Sequence, residues 1–184
     1  MPDLCVAVLT ISDSRTLEDD KSGDLLANFV AADQHHLIDR ALVRDDVYAI
    51  RAQVSQWIAD TKVQVVIATG GTGFTGRDST PEALMPLFDK QIEGFGELFR
   101  QLSYADIGTS TIQSRAVGGL ANGTLIFSLP GSSRAVTLGW EKNPAQPTGY
   151  QLQTLQFCRA DPTFFGTLGW AYAKPCSRSA GTRS

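Results

Sequence analysis

The chain has 184 residues, 42% of them hydrophobic, which suits one soluble globular domain with a sizeable core. A formal net charge of −3 and a pI of about 5.3 argue against a nucleic-acid-binding protein. No apolar run is long enough to span a membrane, and the N-terminus lacks the basic region of a signal peptide. The three cysteines are widely scattered and predict neither a disulfide framework nor a metal site, which favours a cytoplasmic protein.

Short apolar runs alternate with helical patterns through the first part of the chain. "LCVAVLTIS" predicts a buried parallel strand, and "SGDLLANFVAAD" predicts a helix capped by Ser22. A short second strand follows in "IDRALVRDD". "YAIRAQVSQWIAD" predicts an amphipathic helix with Ile50, Val54, Trp57 and Ile58 facing the core.

The same alternation continues beyond this helix. "VQVVIATGG" predicts a buried strand that ends in a glycine loop, and "STPEALMPLF" predicts a helix with Thr80 as its cap and Pro81 at its first position. "TLIFSLPG" predicts a further buried strand. Such alternation indicates an α/β fold of three α/β/α layers, with a mostly parallel sheet and helices on both faces. Ligands of such sheets bind at the carboxyl ends of the strands, where we expect the loops 12–15, 70–79 and 130–133.

The glycine loop consists of Gly70, Gly71, Thr72 and Gly73, between a strand and a helix. Small residues allow backbone N–H groups to face an anion, and the following helix adds its positive end. The spacing matches neither a Walker loop nor the dinucleotide fingerprint. The alternative to an anion site is a tight strand-to-helix turn.

Asp78 places a carboxylate directly behind this loop, where it would repel a phosphate. Arg77 is one possible partner, and Mg²⁺ shared with a polyphosphate is another. Asp45 and Asp46 follow a short strand, and either could supply a second carboxylate. The alternative for that pair is a solvated loop with a helix cap.

His35 and His36 are adjacent near the end of a predicted helix. Neighbouring side chains diverge on a helix, and no cysteine or carboxylate cluster accompanies them. We therefore expect surface histidines and not metal ligands.

Three stretches together, "TGGTGFTGRDSTPEAL", "EGFGELFRQLSYADIGTSTIQSRAVGG" and "LIFSLPGSSRA", resemble the MoaB/Mog family of molybdenum cofactor biosynthesis, and its type-B members most. The resemblance runs from about residue 4 to Lys142. It implies a molybdopterin-binding-like fold, a homo-trimer or homo-hexamer, and work beside other enzymes of the pathway. The enzymatic members are molybdopterin adenylyltransferases, which join the terminal phosphate of molybdopterin to AMP from ATP, release pyrophosphate and use Mg²⁺.

The resemblance also assigns roles to residues. It implies that Asp78 and Asp46 are catalytic and bind the metal, although one gap in the alignment would replace Asp46 by Asp45. The other implied positions bind substrate or nucleotide: Ser12, Asp13, Gly70, Gly71, Thr72, Gly73, Arg77, Gly94, Glu97, Ser114, Arg115, Pro130, Gly131 and Ser132.

Two functions follow from this resemblance. The first is a working adenylyltransferase, favoured because Arg77, Asp78 and Asp46 are all present. The second is a non-catalytic pterin- or nucleotide-binding protein of the same pathway, because some type-B members have lost the transferase activity.

The resemblance ends abruptly after Lys142, and 143–184 form an atypical tail. Residues 143–160 can be written in synonymous codons and translated again from the second base. The resulting amino-acid sequence has a helical pattern and then reads Tyr-Arg-Pro-Cys-Asn-Phe, which is similar to the family's ending. We infer an out-of-frame translation after the domain 1–142, and therefore a poorly ordered tail. The alternative is a divergent native tail.

Overall fold

A mixed six-stranded sheet forms the centre of the protein in its computed structural model, which describes residues 3–140. The strands lie in the order β2-β1-β3-β6-β5-β4. Their bounds are β1 Cys5–Ile11, β2 His36–Val43, β3 Val65–Thr69, β4 Lys90–Gln91, β5 Val117–Ala121 and β6 Thr124–Leu129.

Strand direction places the loops that matter at one edge of the sheet. The strands β2, β1, β3 and β6 are parallel neighbours, so the loops after them all leave from the same edge. The strand order reverses between β1 and β3, which is where open α/β sheets bind ligands. β5 runs antiparallel to β6, so β5 begins at the edge where the parallel strands end.

Helices cover both faces of the sheet, which confirms the predicted α/β/α layers. α1, α4 and α5 pack on one face around Val6, Val8 and Phe127, and α2 and α3 pack on the other around Leu9 and Ile126. Side chains of one strand alternate between the faces, which is why β1 contributes to both cores. The helices are α1 Lys21–Ala32, α2 Val47–Ala59, α3 Thr80–Leu84, α4 Glu93–Ile107 and α5 Ser133–Trp140.

Two helix starts differ from the sequence predictions. α1 is capped by Asp20, whose carboxylate accepts from the Gly23 N–H at 3.0 Å, and Ser22 instead lies inside the first turn. α3 begins at Thr80 and its cap position is Ser79. In both cases a neighbouring polar residue takes the cap, a choice that sequence periodicity does not determine.

The prediction of two surface histidines needs correction. His35 is 5% exposed and its Nδ1 accepts from the Leu4 N–H at 3.2 Å, so only His36 of the pair lies on the surface. Cys5 is buried in β1. The other two cysteines, like the tail and its inferred change of frame, lie outside the described residues.

A two-residue hairpin joins β5 to β6 at the edge opposite the ligand loops. Its residues Asn122 and Gly123 have φ values of 46° and 77°. Positive φ at both positions is the type I′ geometry, which matches the twist of the paired strands. Within residues 3–140, no helix is both long and apolar enough to cross a membrane.

Candidate functional site

The predicted loops meet at the carboxyl edge of the parallel strands. Backbone contacts join them: the Gly70 N–H donates to the Leu129 carbonyl at 3.0 Å, and the Ser12 N–H donates to the Val43 carbonyl at 2.9 Å. The Thr69 hydroxyl also donates to the Pro130 carbonyl at 3.1 Å. The structure therefore brings the loops after β1, β2, β3 and β6 together into one candidate site.

The glycine loop depends on backbone conformations that other residues rarely adopt. Gly70 and Gly71 have φ values of 108° and 62°. A Cβ on Gly70 would overlap the carbonyl oxygen of Ile11, and one on Gly71 would lie 2.5 Å from Oδ2 of Asp45. The glycines thus allow the loop to approach both neighbouring loops closely.

Asp78 folds back onto this loop. Its Oδ2 accepts from the Thr75 N–H at 2.9 Å and from the Thr75 hydroxyl. Burial by itself would raise the pKa of Asp78, but the hydrogen bonds from Thr75 and from the Gly73 N–H, with the charge of Arg115, hold that pKa below its ordinary value. The group is therefore an anion at neutral pH.

The two candidate second carboxylates have different surroundings. Asp46 caps α2, and its Oδ1 accepts from the N–H groups of Tyr48 and Ala49 at 3.0 and 2.8 Å. Asp45 turns towards the glycine loop, where its Oδ1 accepts from the Ser79 N–H and hydroxyl. The structure thus brings Asp45 into contact with the loop and gives the predicted residue, Asp46, a capping contact.

Asp13 connects three loops. Its Oδ1 accepts from the Asp45 N–H at 3.2 Å, and its Oδ2 lies 3.6 Å from Nη1 of Arg77. The Arg77 side chain is 81% exposed, so this ion pair contributes little stability. Arg77 is therefore an exposed cation beside the loop, and its guanidinium is accessible to an anionic ligand.

Arg115 lies against the glycine loop from the side of β5. Its Nε donates to the carbonyls of Thr72 and Gly73 at 3.2 and 2.7 Å, and its Nη2 donates to the Asp78 carbonyl at 2.8 Å. Its Nη1 pairs with Oε1 of Glu82. All three guanidinium nitrogens of Arg115 are therefore already paired with other groups of the protein.

A cavity of about 430 Å³ opens next to Arg115, between α4, α3 and the start of β5. Glu97 and Ser114, both predicted from the resemblance, line it together with Arg115. Gly94 lies in the first turn of α4 with open space where a side chain would be. Glu97, Ser114 and Arg115 therefore share one cavity, whereas Gly94 is not among the residues that line it.

Sequence reasoning missed the group that supports the loops after β1 and β6. The Ser22 hydroxyl and Nη2 of Arg15 both donate to the Gly131 carbonyl, at 2.8 and 3.2 Å. Behind them lies Asp20, which is fully buried and accepts from Nη2 of Arg40 at 2.9 Å. No periodic pattern marks these residues; the sequence "DDKSG", which spans the start of α1, was the available signal.

The buried Asp20 is ionised. Its burial would raise the pKa of the carboxyl group, but hydrogen bonds from Thr10, Arg40 and Gly23 hold the pKa below its ordinary value. Ser132 has a local role, since its Oγ accepts from the Ala135 N–H at 3.1 Å and so caps α5. The hydrogen bonds of Asp20 and the cap formed by Ser132 both fix loops that surround the glycine loop.

The carboxylates near the glycine loop are oxygen donors of the kind that Mg²⁺ binds. Within the part of the chain that the structure describes, no group of three or more His, Cys, Asp or Glu residues is arranged to hold a metal ion. Mg²⁺ commonly uses one or two carboxylates plus substrate phosphates, with water in the remaining positions. Asp78 with Asp46 or Asp45 supplies that kind of oxygen donor.

Comparisons with known proteins point to one family. A family model described as "Probable molybdopterin binding domain" matches residues 7–145. Molybdenum cofactor biosynthesis protein B of Escherichia coli (strain K12) is 57% identical over 136 residues, covering 74% of this chain and 80% of that protein.

Solved structures agree with the sequence matches. A crystal structure of a molybdenum cofactor biosynthesis protein B is 44% identical, with a TM-score of 0.75, and covers 77% of this chain and 89% of that one. The tungsten cofactor synthesizing protein MoaB from Pyrococcus furiosus is 30% identical, with a TM-score of 0.70, covering 94% of this chain and 98% of that one. The fold predicted from the sequence is confirmed.

Proposed function

This chain belongs to the molybdopterin-binding domain family of molybdenum cofactor biosynthesis proteins, and on that premise we propose that it adenylylates molybdopterin with ATP. The observation that carries the proposal is that one residue, Arg115, both lines the cavity and contacts the glycine loop. Arg115 and Glu82 line the cavity, and Arg115 also contacts the loop that holds Asp78. We propose that the pterin binds in this cavity with its phosphate directed towards the loop.

The transfer needs little covalent participation by the protein. An oxygen of the molybdopterin phosphate forms a bond to the α-phosphorus of ATP, and the bond from that phosphorus to the β-phosphate oxygen breaks, so that pyrophosphate leaves. The nucleophile is already an anion, which explains why the proposal requires no general base. The main barrier is bringing two anions together, a task of positioning and charge neutralisation.

The residues of the site divide this task. The exposed Arg77 would supply a positive charge to the phosphates beside the glycine loop. Asp78 and Asp46 would hold Mg²⁺, which supplies charge neutralisation on the triphosphate when bound. Glu97 and Ser114, which line the cavity, would contact the pterin.

A second function stands beside the first: molybdopterin or nucleotide binding without transfer. It is favoured by one observation, namely that the relative with 57% identity is a protein B, the subgroup in which the resemblance implies loss of activity in some members. For either function we propose a homo-trimer or homo-hexamer, which light scattering after gel filtration would measure.

The test is incubation of the purified full chain with molybdopterin, ATP and Mg²⁺, without any other pathway enzyme. Formation of adenylylated molybdopterin and pyrophosphate is expected. Retention of molybdopterin on the protein without any adduct would instead select the binding function.

A further inference from the structure

We propose that Arg115 is a positioning residue, whose guanidinium fixes the glycine-loop peptides that orient Asp78, and that Glu82 holds this guanidinium in place. The resemblance had placed Arg115 among the substrate-binding residues. Contacts of its donors indicate a different role. The inference deepens the proposed adenylyl transfer and rests on it for its kinetic test.

Arg115 determines the orientation of peptides in the glycine loop. Arg115 gathers the carbonyls of Thr72, Gly73 and Asp78 on one side of the loop. In a planar trans peptide the carbonyl and the following N–H point in opposite directions. The N–H of Gly73 is therefore directed away from Arg115, and Gly73 itself packs against the Asp78 carboxylate, since a Cβ on it would lie 2.8 Å from Oδ2 of Asp78.

Arg115 also determines where Asp78 is held. Arg115 binds the main-chain carbonyl of Asp78, and it also holds Gly73, which lies against the Asp78 carboxylate. One guanidinium thus fixes both ends of this residue. The ring of Phe74 lies with its centroid 5.3 Å from Cζ of Arg115 and covers the guanidinium from the loop side.

The charge and the N–H donors of Arg115 are already engaged within the protein. Glu82 pairs with Nη1 of Arg115, so the positive charge is compensated within the protein. Nε and Nη2 already donate to loop carbonyls. A guanidinium with a paired charge and engaged donors is a poor receptor for a phosphate, but its planar fork is well suited to holding several carbonyls in fixed directions.

Kinetics of four variants separate the two roles: Arg115→Lys, Arg115→Gln, Glu82→Gln and, as a matched control, Arg134→Gln. Arg134 is an exposed arginine of α5 whose ion-pair partner is Asp106 of α4 and not a residue of the glycine loop. We expect Arg115→Gln to lower kcat about 100-fold, because misplacement by about 1 Å can cost that much, with both KM values nearly unchanged. Arg115→Lys keeps the charge but not the fork, so it should remain impaired.

Glu82→Gln keeps the Arg115 side chain but weakens the contact that holds it in place, so it should give a smaller loss of kcat, which keeps the test decisive if Arg115→Gln does not fold. A tenfold or larger rise in the KM for molybdopterin with unchanged kcat would overturn the proposal. So would wild-type kcat in Arg115→Lys, because charge alone would then suffice.

A second readout is independent of turnover. The amide resonance of Gly73 in ¹⁵N-labelled protein without ligands should shift in Arg115→Gln and Glu82→Gln, and stay in place in Arg134→Gln. An unmoved Gly73 resonance overturns the positioning role. If the wild type forms no adduct, the proposed function fails, while this resonance still decides whether Arg115 orients the loop.

Discussion

The carboxylate of Asp45 accepts two hydrogen bonds from Ser79, one from its N–H at 3.0 Å and one from its hydroxyl at 2.7 Å. This contact joins the loop after β2 to the end of the glycine loop, just before α3. It also distinguishes Asp45 from its neighbour Asp46, which faces the start of α2. Two adjacent carboxylates therefore act on two different elements.

Substitutions by asparagine separate capping from chemistry at Asp46. Asparagine caps helices about as well as aspartate, whereas alanine costs about 1 kcal/mol. We expect Asp46→Asn to keep the melting temperature and lose most of the adenylyl transfer, and Asp46→Ala to lose both. Thermal unfolding and the transfer assay measure the two effects. If Asp45→Asn were the more damaging of the two asparagine variants, the second metal-binding carboxylate would be Asp45.

Asp78→Asn removes the charge beside the glycine loop while keeping the side-chain shape. We expect transfer to fall by about 100-fold or more, since losing even an outer partner of a metal site typically costs about 10–100-fold. Raising Mg²⁺ should recover part of the loss. The assay is adduct formation at several Mg²⁺ concentrations, and full turnover by this variant would refute a metal-binding role for Asp78.

Gly70→Ala tests the fit between the glycine loop and β1. A Cβ there overlaps the backbone carbonyl of Ile11 at a φ of 108°, so neither side-chain rotation nor a local shift relieves it. We expect a loss of at least about 2 kcal/mol in the free energy of unfolding. Gly76→Ala is the matched control, because nothing lies within 4 Å of its Cβ position. Urea titrations of both variants measure the difference, and equal stabilities would contradict the geometry.

Asp20 should make stability depend on pH in acid. Its folded-state pKa lies below the ordinary value of 3.8, so the ionised form stabilises the fold. That contribution is complete above the unfolded-state pKa and is lost as the pH falls from 3.8 through the lower folded-state value. We expect Asp20→Asn to cost about 3 kcal/mol at pH 7, with the difference from wild type shrinking in acid.

Urea unfolding across the acidic range measures this effect. Asp24→Asn is a suitable control, because Asp24 pairs with the same Arg40 from an exposed position and should cost less than about 1 kcal/mol. A stability difference for Asp20→Asn that stayed constant with pH would mean that its ionisation is not involved.

The sequence predicted features that depend on local pattern. Apolar runs such as that of β3 and the helical spacing of Ile50, Val54 and Trp57 are confirmed as buried strand and core-facing helix. It did not predict features that depend on contacts between distant residues. Asp20 takes the α1 cap because Thr10 and Arg40 also bind it, and these partners come from other strands.

The same reason limits prediction of the site. The parallel alternation was enough to place the loops at one edge, and the resemblance named residues that do lie around one cavity. Arg115 contacts loop residues that lie 37–43 positions before it in the sequence, so whether it binds a ligand or the loop depends on how the chain between them folds. No spacing in the sequence contains that information.

The hairpin at Asn122 and Gly123 acquires a further significance from its distance to the site. Arg115 comes just before β5, so its height above the sheet is set by how β5 is paired with β6, and this tight turn fixes that register. One inserted residue at the turn would slide β5 by about 3.3 Å and exchange the faces of its side chains. The alignment of the glycine loop is thus determined in part at the opposite edge of the sheet, by the length of a two-residue turn.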